Sequence, residues 1–293
     1  MSTTLSERAM LVTLNISQWT ARKLDRAETT ALNRSHGLNI EAARVNKNLF
    51  PLSTPLERVQ QVTGAIRKDF TRRTLPWGID GVNILKASAY VEFTQVVNGW
   101  HADYDAAVDA FLDAYPVLLD EARVLLGSLY KQEDYPSVAA IRQRFGFAIR
   151  FMPVPDKQDW RIDVGDDARR RLEEDISQRI AETETTAMTE AWRRIHDVIA
   201  HAQERLRNPE AIFRDSLVDN AIELCGVLPG LNITDDPALE KARQQLEGTL
   251  APYRANKSPL RDNPTLRADA AAKLAGIMDK MGGLYAPPIA LAA

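Results

Sequence analysis

Two histidines, His196 and His201, stand close together in a chain that has only four. A helical metal pair needs both ligands on one face, and a separation of five residues puts these about 140° apart, so they cannot share an ion. Asp197 and His201, four apart, suit a surface pair instead. Asp103, Asp105, Asp109 and Asp113 offer four carboxylates, and the last three fall near one helical face. Without convergent histidines they read as a solvated acidic face, with cation or basic-partner binding as the alternative. The single cysteine, Cys225, sits in the apolar stretch Ile222-Glu-Leu-Cys-Gly-Val-Leu and reads as a small buried hydrophobe; one cysteine excludes any intrachain disulfide. Gly78-Ile-Asp-Gly81 and Gly226-Val-Leu-Pro-Gly230 fit neither the dinucleotide nor the phosphate-loop spacing, so no cofactor, metal or catalytic residue is expected.

The strongest binding signal is Arg67-Lys-Asp-Phe-Thr-Arg-Arg-Thr-Leu-Pro-Trp77. Arg67, Lys68, Arg72 and Arg73 could hold phosphates, and Trp77 could stack on a base, which would suit single-stranded nucleic acid. The same residues also fit an ordinary amphipathic helix: Phe70 continues an apolar stripe, Asp69 can pair with Arg73, and the rest face solvent. A sequence pI near 5.9 weighs against a dedicated nucleic-acid protein.

The elements that must position these residues are mostly helical. The chain of 293 residues is 45% hydrophobic and 26% charged, within the globular range. No run of 18 apolar residues exists and the start lacks the order of a secretory signal, so a cytoplasmic protein without a membrane span is expected. The net charge of -3 hides an asymmetry. Residues 1–73 carry 12 Lys/Arg against 6 Asp/Glu, and the remainder carries 25 against 34, a split that suits an anionic partner or self-association.

Met10 to Ser17 alternates with a period of two and predicts a strand, followed by a helix from Trp19 to about Ser35. Thr54-Pro-Leu-Glu57 predicts a helix start with Thr54 as cap, running to Arg73. Phe93, Val97, Trp100, Tyr104, Val108, Phe111, Tyr115, Leu118, Ala122, Leu125 and Leu129 form a helical stripe, which Pro116 should kink or split. A second long helix is expected over Asp166 to Arg207, with looser packing at 182–186. Between them, 145–152 and 160–164 read as a β-hairpin, which the Met10 strand could extend to three strands. Asn208-Pro209, Asp236-Pro237 and Asn263-Pro264 each mark a later helix, and Gly282-Gly283 stops the last before an uncharged apolar tail.

The fold expected is therefore mainly α: a long antiparallel helical hairpin with a small β-hairpin at one end and a C-terminal helical bundle. Its segments would be a basic N-terminal part (1–77), the long helical hairpin (78–208) and the short-helix bundle with its tail (209–293). Phe147, Phe151 and Trp160 on the β-hairpin, with Tyr285 and Ile289 in the tail, are the candidate protein interface.

Leu14-Asn-Ile-Ser-Gln-Trp-Thr-Ala-Arg-Lys23, Thr74-Leu-Pro-Trp77, Arg144-Phe-Gly-Phe147, Met152-Pro-Val-Pro155, Ile212-Phe-Arg-Asp-Ser-Leu217 and Leu231-Asn-Ile-Thr234 resemble a family of bacteriophage and prophage proteins described only as a domain of unknown function. The resemblance implies a phage-associated protein of the infected or lysogenic bacterial cytoplasm, whose genes can neighbour a MoxR-like AAA+ ATPase and a von Willebrand A-like protein. It implies no catalytic residues. The function expected is a non-enzymatic protein, a homo-oligomer or one that docks to a partner such as an AAA+ ATPase assembly. The alternatives are nucleic-acid binding through 67–77, and an enzyme whose Asp, Glu and His residues converge from distant positions.

Overall fold

Where the sequence carries a 3.6-residue apolar period the chain winds into helix, and the strands are short. The computed structural model describes residues 4–40, 42–155, 165–208 and 213–282. It is mainly α with a small sheet. In chain order the first half contains α1 (Leu5–Arg8), β1 (Ala9–Ser17), β2 (Arg22–Leu24), α2 (Arg26–Ser35), β3 (Asn46–Asn48), α3 (Thr54–Arg73), β4 (Leu75–Pro76), β5 (Val82–Lys86) and α4 (Tyr90–Leu126). Then come α5 (Val138–Arg142), β6 (Gly146–Pro153), α6 (Asp166–Arg207), α7 (Ser216–Leu231), α8 (Pro237–Leu250), α9 (Ser258–Asp262) and α10 (Pro264–Met281).

The strand order is β4-β5-β1-β6, with β2 and β3 forming a separate antiparallel pair. β6 is the first strand of the expected hairpin and lies beside β1; the second, 160–164, falls outside the described residues.

Contacts group the chain into two units, each assembled from separated stretches, whereas a reading along the chain divides it into consecutive segments. Unit 1 comprises Met1–Thr13, Asp69–Thr94 and Arg150–Ala293; unit 2 comprises Leu14–Lys68 and Gln95–Ile149. The charge split dissolves in this arrangement. Unit 2 holds 13 basic and 12 acidic side chains, and unit 1 holds 24 and 28, because the basic N-terminal stretch and the aspartates of α4 belong largely to the same unit.

Unit 1 is built on the second half of α6. Ala187, Ala191, Ile195, Ile199, Ala202 and Leu206 are buried, at spacings of three or four that keep them on one face against α7, α8 and α10. From α10 come Ala270, Ala271, Leu274, Ile277 and Met281, and the alanines let the helices approach closely. The start of α10 meets the end of α6: the buried Arg267 guanidinium donates to the carbonyls of Arg205 (2.7 Å), Leu206 (3.2 Å) and Asn208 (2.7 Å), capping α6. Burial in α6 begins only at Ala187, so the looseness expected at 182–186 extends back through the whole first half of the helix. Asn263 and Asp236 cap α10 and α8 as the sequence indicates, each followed by proline at the first helical position. Cys225 is buried in α7, and burial pushes its thiol up to about 12.

Unit 2 has an aromatic core. Trp19, Phe50, Phe111, Tyr115 and Tyr135 interlock at ring separations of 5.4 to 6.4 Å, mostly edge-on or tilted. The tyrosine hydroxyls donate to backbone carbonyls, Tyr115 to Pro136 (2.9 Å) and Tyr135 to Leu49 (3.1 Å). Beside them lies a buried ion cluster. Lys47 Nζ is 2.5 Å from Asp134 and 3.7 Å from Asp25 and donates to the Leu129 carbonyl at 2.7 Å, while Lys23 reaches Asp134 at 2.6 Å.

Three expectations are corrected. The helix expected from Trp19 starts at Arg26, with Asp25 accepting from the amides of Ala27 (3.1 Å) and Glu28 (3.2 Å), because Trp19 is spent on the core and Ala21 takes a left-handed φ of 50°. Ser53, not Thr54, caps α3, its hydroxyl accepting from Leu56 at 3.2 Å. Pro116 does not split α4, which runs unbroken. A proline inside a helix costs about 3 kcal/mol, and the burial of Phe111, Tyr115 and Leu118 around it offsets that loss.

Candidate interaction surface

Within unit 1, α1, the start of β1 and the end of β6 form an open groove of about 350 Å³, lined by Ser6, Glu7, Ala9, Met10, Ala87, Phe151, Met152 and Pro153. β6 is the last strand in the sheet order among the described residues. Phe151 is held by edge-on contacts with Tyr90 (5.2 Å) and Phe93 (6.2 Å) yet keeps 37% of its surface exposed. Met152 is exposed to a similar degree, and Met10 adds a second flexible thioether. The only ionisable liner, Glu7, accepts from the Thr4 amide at 2.9 Å. A rigid aromatic flanked by adaptable methionines suits apolar side chains of a protein segment, and the polar liners Ser6 and Glu7 both bond to Thr4.

The other interface candidates separate. Phe147 belongs to unit 2, where it stacks on His101 at 4.9 Å and tilts against Tyr104 at 5.9 Å, half-buried. Trp160, Tyr285 and Ile289 lie outside the described residues.

The basic segment does not assemble as a stacking platform. Trp77 is 5% exposed and sits in the unit 1 core, so its face is closed to a base. Arg72 binds Asp69 (2.9 Å) and Glu223; Arg73 binds Asp69 (3.1 Å) and Glu92 (3.3 Å). Arg194 adds hydrogen bonds to the Thr71 (2.9 Å) and Arg72 (3.2 Å) carbonyls, closing the end of α3. In unit 2, Arg67 donates to the Ile16 carbonyl at 3.0 Å, and Arg67 and Lys68 are exposed.

The titratable candidates stay dispersed. Asp197 bonds Arg193 (2.6 Å) and His196 (3.3 Å); Asp105 meets His101 at 3.4 Å, and Asp109 pairs with Arg142. Among the described residues no three His, Cys, Asp or Glu side chains are placed to hold a metal. A second open cavity in unit 1, about 210 Å³, is lined by Arg73, Lys86, Ser88, Glu92 and Phe93 against Gly226, Pro229 and Gly230 of α7. Both of its cations are already paired, Arg73 with Glu92 and Lys86 with Asp235.

Sequence reasoning found Phe151 through its aromatic, β-branched neighbourhood but missed Met10 and Met152. The alternation of β1 was the available signal for Met10. Among the described residues no helix is long and apolar enough to cross a membrane. Compared with protein-family models, curated proteins and solved structures, the chain matches none.

Proposed function

We propose that the protein is non-enzymatic and acts by self-assembly or by docking to a protein partner, with the end of β6 as the contact point. The observation that carries this reading is the groove itself: an exposed phenylalanine braced by two aromatic rings, next to exposed methionine, with no convergent polar chemistry. Exposed apolar side chains on a braced strand are what a protein interface uses as anchors. The resemblance to phage and prophage proteins supports a partner such as an AAA+ ATPase assembly. Nucleic-acid binding through 67–77 is the weaker reading, since its aromatic is closed and two of its arginines are paired.

Light scattering across a concentration series at low salt tests the self-assembly half. Mass should rise with concentration for the natural chain and stay monomeric for Phe151→Ser with Met152→Ser. A natural chain that remains monomeric at the highest concentration removes self-assembly and leaves docking alone.

A further inference from the structure

The apolar stripe of α4 behaves as expected as far as Ala122, which is buried, and then departs from it. Leu125 is 51% exposed, although the periodicity places it in the core. Two further apolar residues off the stripe, Val117 and Val124, are 62% and 82% exposed, and they lie on one face with Leu125 at helical spacings of seven and eight. Leu52, 73% exposed, borders the same narrow groove as Leu118, Glu121, Ala122 and Leu125. The last third of α4 thus buries Leu118 and Ala122 on one side and exposes Val117, Val124 and Leu125 on a second face, beside the charged Asp120 and Arg123. Exposed apolar side chains gathered on one helical face are what a partner ordinarily covers. All of these residues belong to unit 2.

A carboxylate stands in the middle of this patch. Glu121 is one helical turn from both Val117 and Val124/Leu125, is exposed, and has no hydrogen-bond or ion-pair partner among the described residues. Its neighbour Asp120 also faces solvent, and Arg123, two residues on, is drawn to Asp120 at 3.6 Å and over the Tyr130 ring at 5.4 Å. A second copy of α4 is a poor cover. Pairing Val117 with Val124 of an antiparallel copy would bring the Asp120 and Glu121 carboxylates of both chains together, a like-charge contact.

We propose that this face, Leu52, Val117, Glu121, Val124 and Leu125, docks an amphipathic segment of a protein partner that carries a lysine or arginine among its apolar side chains. The proposal rests on the docking half of the function proposed above, adds to it a second contact face, and names the chemistry that this face takes. Apolar burial would supply affinity and the Glu121 pair would supply selectivity.

The test uses the full chain and two labelled synthetic helical peptides, identical in their leucines and differing in a central lysine or glutamate, read by fluorescence anisotropy. The lysine peptide should bind at least tenfold more tightly than the glutamate peptide, and Glu121→Lys should reverse that preference. Val124→Ser with Leu125→Ser should weaken the lysine peptide at least tenfold, while Phe151→Ser with Met152→Ser leaves it unchanged, which separates this face from the groove. Circular dichroism confirms that each variant is folded. Equal binding of the two peptides, no binding of either, or a preference that ignores Glu121→Lys overturns the proposal. So does concentration-dependent self-association of the natural chain that Val124→Ser abolishes, since the cover would then be a second copy.

Discussion

Unit 1 buries mostly small and aliphatic residues, whereas unit 2 buries aromatic rings and three charges, Lys47, Asp134 and Asp25, which the half-exposed Lys23 joins. The difference lies in what each must join. In unit 1, α6 and α10 meet along alanines and larger aliphatic side chains, and helix packing fills most of the space. Unit 2 has to fasten two very short strands, β2 and β3, and the irregular chain at 127–136. Lys47 and Lys23 in those strands reach Asp134 in that irregular stretch, so side-chain charge does there what helix contact does in unit 1. Burial by itself pushes the Asp134 carboxyl up, but hydrogen bonds from Lys23 and Lys47 outweigh it and hold it below the ordinary 3.8. This cluster is therefore ionised at neutral pH and loses its contribution as pH falls below that value.

The sharpest way to break the comparison is Asp134→Ala. It leaves Lys47 buried with only the more distant Asp25, and removing one partner of a buried pair costs about 3–5 kcal/mol. Urea unfolding should show that loss, and hydrogen exchange should place it in unit 2. Replacing both partners, Lys47→Met with Asp134→Leu, should cost much less, because no buried charge is stranded.

Leu274→Ala, at a fully buried site of α10, should cost about 3 kcal/mol through the cavity it leaves, with exchange rising in α6 and α10.

Alkali distinguishes the units next. Burial raises Tyr115 and Tyr135 of unit 2 from 10.0 to about 12, so the stability linked to their neutral forms is complete below pH 10 and is lost as pH climbs through 12. Among the described residues of unit 1 the matching group is Cys225, raised from 9.0 to about 12. Tyrosinate absorbance of these two residues should rise only together with loss of the helical signal, and Cys225→Ala should leave that coincidence intact.

The smallest effect is a gain. Ala21 sits at φ 50° in the turn before β2, where glycine carries no Cβ penalty. Ala21→Gly should stabilise the protein by about 0.5 kcal/mol, seen as a small rise in melting temperature.

Helices with strong ends were legible in the sequence. α6, α8 and α10 begin and end where proline, capping side chains and periodicity place them, and α3 starts one residue early, with Ser53 as its cap. β5 was not, since Val82–Lys86 is too short to show alternation and is recruited by pairing with β1. β2 and β3 likewise exist through their partners, and Trp19 left the helix expected of it for an aromatic core that reaches as far along the chain as Tyr135. The interaction surfaces were legible only in part. Periodicity says which residues share a face, so it named Leu125. It cannot say whether that face meets anything, and the exposure of Leu125 beside Val117 and Val124 appears only when the neighbouring chain is in place.

The claim that this protein self-assembles through the Phe151 groove is tested most directly by a photo-crosslinking amino acid at position 152 of the full chain. Irradiation across a concentration series should give a product of twice the monomer mass, with the crosslink mapping to the Phe151 groove of a second copy and vanishing when Phe151 is replaced by serine. Monomer alone at every concentration, or crosslinks scattered over the surface and indifferent to Phe151, would contradict it.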